Sequence, residues 1–375
     1  MIALTRAEID LSAIRHNVHL ICRHVGKRVQ VMAVVKANAY GHGAVSVARA
    51  ALEAGATWLG VASVGEGIAL RDVGIRAPIL VLGYTPPTLA AEALRHDLTL
   101  TVYDLSVVRE IGRLARALDR LARVHVKLDT GMHRLGFLPH EAKHAIAEIR
   151  NTPGVHLEGV FTHLSSADSD PEYTQWQLQR FREAINGANI ALRHVCNSAG
   201  TLGYPQAHYD LVRVGIAIYG LSPYAPLPPA SPLVAQLRPA LTLKTVIASV
   251  KWLPDGARVG YGGRYRCKGA CRIAVIPIGY GDGFRRAPQN FGEVLVRGQR
   301  APVVGNVCMD QSMIDVTHIP EAQRDDEVVL IGRQGEAVIT AEEVATRLGT
   351  INYEVVTALT ARPTRVYYDE AEAEQ

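Results

Sequence analysis

The sequence predicts an α/β fold: a (β/α)8 TIM-like barrel followed by a mostly β C-terminal domain. Three observations predict it. Eight short runs rich in β-branched residues recur over about 220 residues, each followed by apolar residues at three- and four-residue spacing. A proline-rich segment, LSPYAPLPPASPLVAQLRP at 221–239, then breaks the rhythm and reads as a linker. Beyond it, strand-like runs alternate with glycine-rich turns. The barrel is assigned residues 1–235 and the second domain residues 236–375.

In chain order the eight runs are VMAVVKA (31–37), WLGVAS (58–63), PILVLG (78–83), LTLTVY (98–103), RVHVKLD (123–129), LEGVFTH (157–163), RHVCNS (193–198) and DLVRVGIAIYG (210–220). Runs this apolar suit strands covered on both faces, as in a parallel sheet. Segments such as AVSVARAALEAGA and LSVVREIGRLARALDRLA supply the helices between them. A doubly wound sheet is the rival arrangement, and the count of eight favours the barrel. In the second domain ALTLKTVIASVKWL, CRIAVIPIGY, GEVLVRG and DEVVLIG read as strands. One helix is expected there, TAEEVATRLG, with Thr340 as N-cap and Glu343 three residues on.

The 375 residues are 48% hydrophobic and 20% charged, enough apolar mass for one large domain and a smaller one. The net charge of +4, from 40 basic and 36 acidic residues, is too mild to suggest nucleic acid. Cys22, Cys196, Cys267, Cys271 and Cys308 are odd in number and scattered, which suits reduced thiols in a cytoplasmic protein. Cys267 and Cys271 have no second pair, so no metal site is expected. The N-terminal MIALTRAEIDLSAIRHNV lacks the apolar core of a signal peptide. No apolar run approaches the roughly 20 residues that span a bilayer, so no membrane partner is expected. The final DEAEAEQ reads as a frayed acidic tail.

Barrels of this kind carry their active sites at the C-terminal ends of the strands. Lys36 ends the first run, Lys127 lies near the end of the fifth, and His163 ends the sixth. Asn197 and Ser198 end the seventh, while Arg213 sits in the eighth with Gly215 and Ile216 just after it. Strands seven and eight often build a phosphate site; Ser198 offers a hydroxyl and Gly215 a close backbone approach. A phosphate site beside a lysine suggests a phosphorylated aldehyde cofactor. Pyridoxal phosphate fits, because its aldehyde condenses with a lysine amine. A phosphosugar aldolase fits almost as well. Plainer readings compete at each position. Lys36 alone reads as a solvated rim residue, and His163 alone as a structural histidine. Arg213, a charge in an apolar run, needs some partner, for which a carboxylate is the simplest choice. Arg134 in TGMHRLGF would cap loop carbonyls. Tyr261 and Tyr353 would be sheet aromatics, and CMD at 308–310 a strand end.

The chain resembles the alanine racemases, a family of pyridoxal-phosphate enzymes. AVVKANAYGHG, KLDTGMHRLGF, FTHLSSAD, CNSAG, VRVGIAIYG, VGYGGRY, IPIGYGDG, CMDQSMIDV and INYEV are similar to family motifs, in family order, over nearly the whole chain. The resemblance implies a barrel followed by a β domain, and pyridoxal 5'-phosphate as cofactor. It implies that Lys36 holds the cofactor covalently and that Tyr40, Ser198, Gly215, Ile216 and Tyr353 hold its phosphate. Arg213 would face the pyridine nitrogen, with His163 hydrogen-bonded behind it; a permanent cation keeps that nitrogen unprotonated. Moving a proton from one face of Cα to the other asks for two bases. The resemblance implies Lys36 on one face and Tyr261 on the other, with Tyr261 supplied by the second subunit of a homodimer. Met309 and Asp310, from that subunit too, would approach the substrate carboxylate, which Arg134 would orient. Lys127 resembles the family's carbamylated lysine, and Tyr280 would line the entrance. Asn306 and Thr357 depart from the family pattern, where arginine and cysteine are common.

The function implied is interconversion of L- and D-alanine, supplying D-alanine for peptidoglycan. A serine or broad-specificity racemase is the nearest alternative. A barrel-type pyridoxal-phosphate decarboxylase would need a carboxylate where Arg213 stands. A non-catalytic carrier of the cofactor would leave the second domain, with Tyr261 and Met309, without a purpose.

Overall fold

The computed structural model describes residues 4–225, 227 and 231–369. The acidic tail from residue 370 onward and part of the proline-rich segment lie outside the described residues. The chain divides into two compact units. One comprises residues 13–39 and 44–238. The other takes residues 239–369 together with 4–12 and 40–43 among those described.

The first unit is the barrel. Its strands are β2 (Gln30–Val34), β3 (Trp58–Val61), β4 (Ile79–Val81), β5 (Thr99–Val102), β6 (Ala122–Lys127), β7 (Val155–Phe161), β8 (Leu192–His194) and β9 (Leu211–Val214). They correspond one for one to the eight runs. The ladder runs β8-β7-β6-β5-β4-β3-β2-β9, all parallel. Asp210 N donates to Arg193 O at 3.1 Å and Arg213 N to Cys196 O at 3.0 Å, which ties β9 back to β8. Part of the interior is apolar, with Met32, Trp58, Leu80 and Leu211 packed together. Towards the same interior the sequence also buries His125, Lys127, His194 and Arg213.

The helices follow from stripes and caps. In Leu105–Ala117 the buried positions are Val108, Ile111, Gly112 and Ala115, one face of a helix, and Asp104 caps its first turn. Pro171–Ala184 starts with proline at its first position and Asp170 accepting from Tyr173 N.

The second unit is mostly β, as expected. Its strands are β1 (Arg6–Asp10), β10 (Leu241–Val246), β11 (Ser249–Leu253), β12 (Arg258–Val259), β13 (Tyr265–Arg266), β14 (Cys271–Ile276), β15 (Glu293–Val296), β16 (Gln299–Val304), β17 (Ser312–Asp315), β18 (Glu327–Gln334), β19 (Ala337–Ile339) and β20 (Thr364–Tyr368). The large sheet is ordered β11-β14-β17-β16-β15-β18-β10-β1-β20. β10 alternates buried and half-buried residues, the signature of a sheet with one covered face.

Four readings of the sequence change here. The N-terminal residues 4–12, placed with the barrel, instead give β1, which pairs antiparallel with β10 and parallel with β20. The unit boundary falls after Arg238 rather than at 235. Tyr353 is no sheet aromatic: a second helix, Asn352–Thr357, follows the expected one at Ala341–Leu348. Residues 308–310 form the loop between β16 and β17 rather than a strand end. Cys267 and Cys271 are buried in an apolar cluster with Val259, Ile273 and Val304.

Candidate active site

Lys36 stands two residues beyond β2, and the chain after it is unusual. Ala37, Asn38, Ala39 and Tyr40 all have φ of 51–52°, a left-handed turn of four non-glycine residues. Each such residue costs about 1 kcal/mol or more, so the surroundings must hold it. Glu66 accepts from Ala37 N at 2.8 Å and from Ala62 N at 2.7 Å. Asn38 Oδ1 accepts from Ala44 N at 2.9 Å. Gly41 and Gly43 end the turn with φ of 83° and 102°. A side chain at Gly41 would run into the carbonyl of Val356, which is why glycine stands there.

The rim of the barrel gathers cations. The Lys36 amine is held below its ordinary pKa, chiefly by burial, then by Arg134 and Arg213, with Glu66 opposing. The Lys127 amine, buried with its Nζ 5.5 Å from the Phe161 ring centre, is pushed down to about 8. Burial is the main cause, followed by Arg134, Arg213 and Lys36. Arg213 is fully enclosed, and burial pulls its guanidinium down to about 10. Its partners are not carboxylates. It donates to Thr162 O at 2.8 Å, Val195 O at 3.1 Å and His194 O at 3.1 Å. It also reaches His194 Nδ1 at 2.9 Å and His163 Nδ1 at 3.3 Å. Burial, then the four cations, hold His163 well below its ordinary pKa, so the ring is a neutral acceptor.

Ser198, Gly215 and Ile216 come together. Asn197 caps the short helix Ser198–Gly203, its side chain accepting from Gly200 N at 2.9 Å. Ser198 Oγ accepts from Gly215 N at 3.0 Å and Ala217 N at 3.4 Å. Gly215 opens the helical turn Ile216–Tyr219, where first-turn N–H groups have no partner within the helix. A hydroxyl with a proton to donate and backbone N–H groups at two chain turns suit an anion.

Arg134 is exposed on the loop after β6. The loop folds back on its own strand: Phe137 N donates to Lys127 O at 3.0 Å and Asp129 N to Phe137 O at 2.8 Å. Asp129 accepts from Gly131 N at 3.1 Å and His133 N at 2.9 Å, and Tyr173 Oη donates to Gly131 O at 2.7 Å. Arg134 caps no carbonyl among the described residues, so its guanidinium stays available for a ligand.

The second unit carries the remaining candidates. The rings of Tyr40 and Tyr353 lie 6.0 Å apart, and burial pushes the Tyr40 phenol up to about 12, leaving it a neutral donor. Tyr261 heads a turn flanked by Gly260 and Gly262, with φ of 70° and 72°, and is 69% exposed. Asn306 Nδ2 donates to Tyr261 O at 2.7 Å, so this departure from the family pattern holds that turn. Tyr280 and Met309 are joined through backbone: Tyr280 N donates to Cys308 O at 3.0 Å and Gly281 N to Met309 O at 2.9 Å. Arg362 pairs with Asp310 at 2.8 Å and with buried Asp282 at 3.3 Å. Tyr261 and Met309 are large side chains left exposed.

A parallel barrel with lysines at its rim, a buried arginine in its wall and a serine hydroxyl beside backbone N–H groups after its last two strands has its polar groups where barrel enzymes carry their active sites. Residues 9–223 match the family described as "Alanine racemase, N-terminal domain" and residues 240–367 its "Alanine racemase, C-terminal domain". An alanine racemase of Symbiobacterium thermophilum is 47% identical over 369 residues, covering 97% of each chain. One from Methanococcus maripaludis is 44% identical, covering 96% of this chain and 98% of its own. Among solved structures, an alanine racemase from D-cycloserine-producing Streptomyces lavendulae superposes with a TM-score of 0.93 at 38% identity, covering all of both chains. That of Bacillus anthracis with bound L-Ala-P gives 0.92 at 41% identity, over 98% of this chain and 96% of that one. The chain belongs to the alanine racemase family, and it is an enzyme of the isomerase class.

Sequence reasoning passed over three residues at the site. His125, His194 and Glu158 sit behind Arg213, the histidines fully buried. The signal was present: each lies in a run otherwise read as apolar strand, as Arg213 does.

Proposed function

We propose that the protein interconverts L-alanine and D-alanine with pyridoxal 5'-phosphate, using Lys36 and Tyr261 as acid–base groups on opposite faces of Cα. The observation that carries this is Lys36 with a depressed pKa on the same barrel rim as Arg213 and the Ser198–Gly215–Ile216 cradle. These residues fit the cofactor. A free amine suits its aldehyde, N–H groups and the Ser198 hydroxyl suit its phosphate, and a buried guanidinium suits its ring nitrogen. Tyr40 and Tyr353 would add phenolic donors to the phosphate. When bound, the cofactor withdraws electrons from the substrate Cα and so acidifies its proton.

Lys36 Nζ then holds or returns the Cα proton on one face, and Tyr261 Oη does so on the other. Arg134 orients the substrate carboxylate, with Met309 and Asp310 beside it and Tyr280 at the entrance. Arg213 would keep the ring nitrogen unprotonated, because a guanidinium donates and does not accept. Lys127, with an amine that is about half neutral near pH 8, would add carbon dioxide and release one proton to give a carbamate. That anion would hold Arg134. The glycine-flanked, exposed Tyr261 supports a homodimer in which Tyr261, Met309 and Asp310 complete the other subunit's site. Five free cysteines favour the cytoplasm, where the product D-alanine would enter peptidoglycan precursors.

The test is borohydride reduction of the loaded protein. The parent should trap the cofactor on Lys36, and Lys36→Ala should lose the adduct. An adduct that persists in Lys36→Ala moves the anchor to another lysine and removes Lys36 from this role.

A further inference from the structure

Buried Arg213, His194 and His125 and half-buried Glu158 form one directed chain. Arg213 Nη1 lies 2.9 Å from His194 Nδ1. His194 Nε2 lies 2.8 Å from His125 Nδ1, and His125 Nε2 lies 3.3 Å from Glu158 Oε2. Thr99 Oγ1 donates to the same carboxylate oxygen at 3.3 Å. The rings are clamped: Phe161 stacks on His194 with centres 4.7 Å apart and planes 7° apart, and Trp58 lies 5.4 Å from His125.

The protons can be assigned from donor and acceptor capacity. A guanidinium only donates, so His194 Nδ1 must be a lone pair. A neutral His194 then carries its proton on Nε2 and donates to His125 Nδ1. His125 in turn carries its proton on Nε2 and donates to Glu158. A charged His194 would set an N–H against the Arg213 N–H, and a charged His125 would force the same conflict one ring further on. Burial, the leading cause for both rings, keeps them below their ordinary pKa, at His125 against the opposing Glu158 carboxylate. Burial alone would raise the Glu158 pKa, but the hydrogen bond from His125, the charge of Arg123 and the hydrogen bond from Thr99 bring it below its ordinary value, so it stays an acceptor.

A local irregularity places Glu158 at the end of this chain. Along β6 and β7, Val124 pairs with Leu157, but His125 pairs with Gly159, skipping Glu158. Such a bulge re-aims a side chain. Gly159 gives the ring its space, since a Cβ there would lie 2.7 Å from His125 Nδ1.

We infer that Glu158 is a positioning residue for Arg213, acting through the tautomers of His125 and His194. Without an acceptor at Glu158, His125 is free to move its proton to Nδ1. His194 would then accept at Nε2 and present Nδ1–H to Arg213. The arginine would lose that bond and move off its place in the barrel wall. The effect on turnover rests on the proposed racemase reading; the tautomers do not.

The experiment records two-bond nitrogen–proton spectra of 15N-histidine-labelled protein saturated with pyridoxal phosphate, alongside racemisation kinetics. In the parent, His125 and His194 should each show a single Nε2–H tautomer that does not change from about pH 6 to pH 9. Glu158→Leu should lose that single tautomer at both rings, with kcat down about tenfold, the size of one net hydrogen bond. Glu158→Gln, whose amide oxygen still accepts, should keep both tautomers and most of kcat. Should Glu158→Leu not fold, Glu158→Met offers similar length without an acceptor. The inference is overturned if either parent ring is charged or Nδ1-protonated, or if the acceptor-free variant keeps the parent tautomers. It is overturned too if the tautomers change while kcat does not. A parent that shows the assigned tautomers but racemises nothing would instead refute the proposed function.

Discussion

At the scale of single residues, Lys36, Lys127, His163 and Arg213 are all held below their ordinary pKa, chiefly by burial. Lys127 shows the consequence for stability. Its amine titrates near 8 in the fold and near 10.5 in the unfolded chain, so the unfolded state binds more protons between those values. Stability should therefore rise with pH across that window, and below it the buried ammonium costs up to about 3 kcal/mol. In buffers freed of carbon dioxide, Lys127→Met should flatten the rise in urea-unfolding stability between about pH 8 and pH 10. Equal slopes for parent and variant would show that Lys127 is not perturbed as described. Charged candidates such as Lys36 and Arg213 were legible in the sequence because they interrupt apolar runs. His125, His194 and Glu158 interrupt such runs too, but their connection was not legible, because it depends on a bulge that no local pattern announces.

At the scale of elements, the loop between Lys127 and Phe137 couples the rim to its own strand. Gly136 has φ of 136°, and a Cβ there would lie 2.5 Å from Asp129 N. Gly136→Ala should cost roughly 1–3 kcal/mol of stability and raise KM for alanine more than it lowers kcat, because it displaces Arg134. Unchanged KM would separate the loop from substrate binding. The eight barrel strands were legible because parallel strands buried on both faces read as apolar runs. β1 was not, since RAEID alternates charged and apolar residues and finds its partners, β10 and β20, far along the chain. The helix Asn352–Thr357 was hidden for a related reason: NYEVVT is rich in β-branched and aromatic residues, and six residues are too few to show a helical period.

At the scale of the whole molecule, the proposed homodimer makes a claim that single chains cannot meet. If Tyr261 works in the partner's site, Lys36→Ala and Tyr261→Phe are each defective alone. Mixed dimers then rebuild one intact site in two, so an equal mixture, unfolded and refolded together, should recover about a quarter of parental activity. Recovery no greater than the separate variants would place both residues in one chain's site or remove one of them. The two-unit organisation was legible from the proline-rich break, but its boundary was not. The strand that begins the second unit's sheet is drawn from the N-terminus, and the Tyr40–Gly43 segment leaves the barrel to join that unit.

The central claim is racemisation through Cα proton exchange on two faces. Its most direct test is incubation of the protein and pyridoxal phosphate with L-alanine in D₂O, following chirality and α-deuterium together. D-alanine carrying α-deuterium is the expected result. Absence of exchange with alanine, serine and every other amino acid tried would contradict the account.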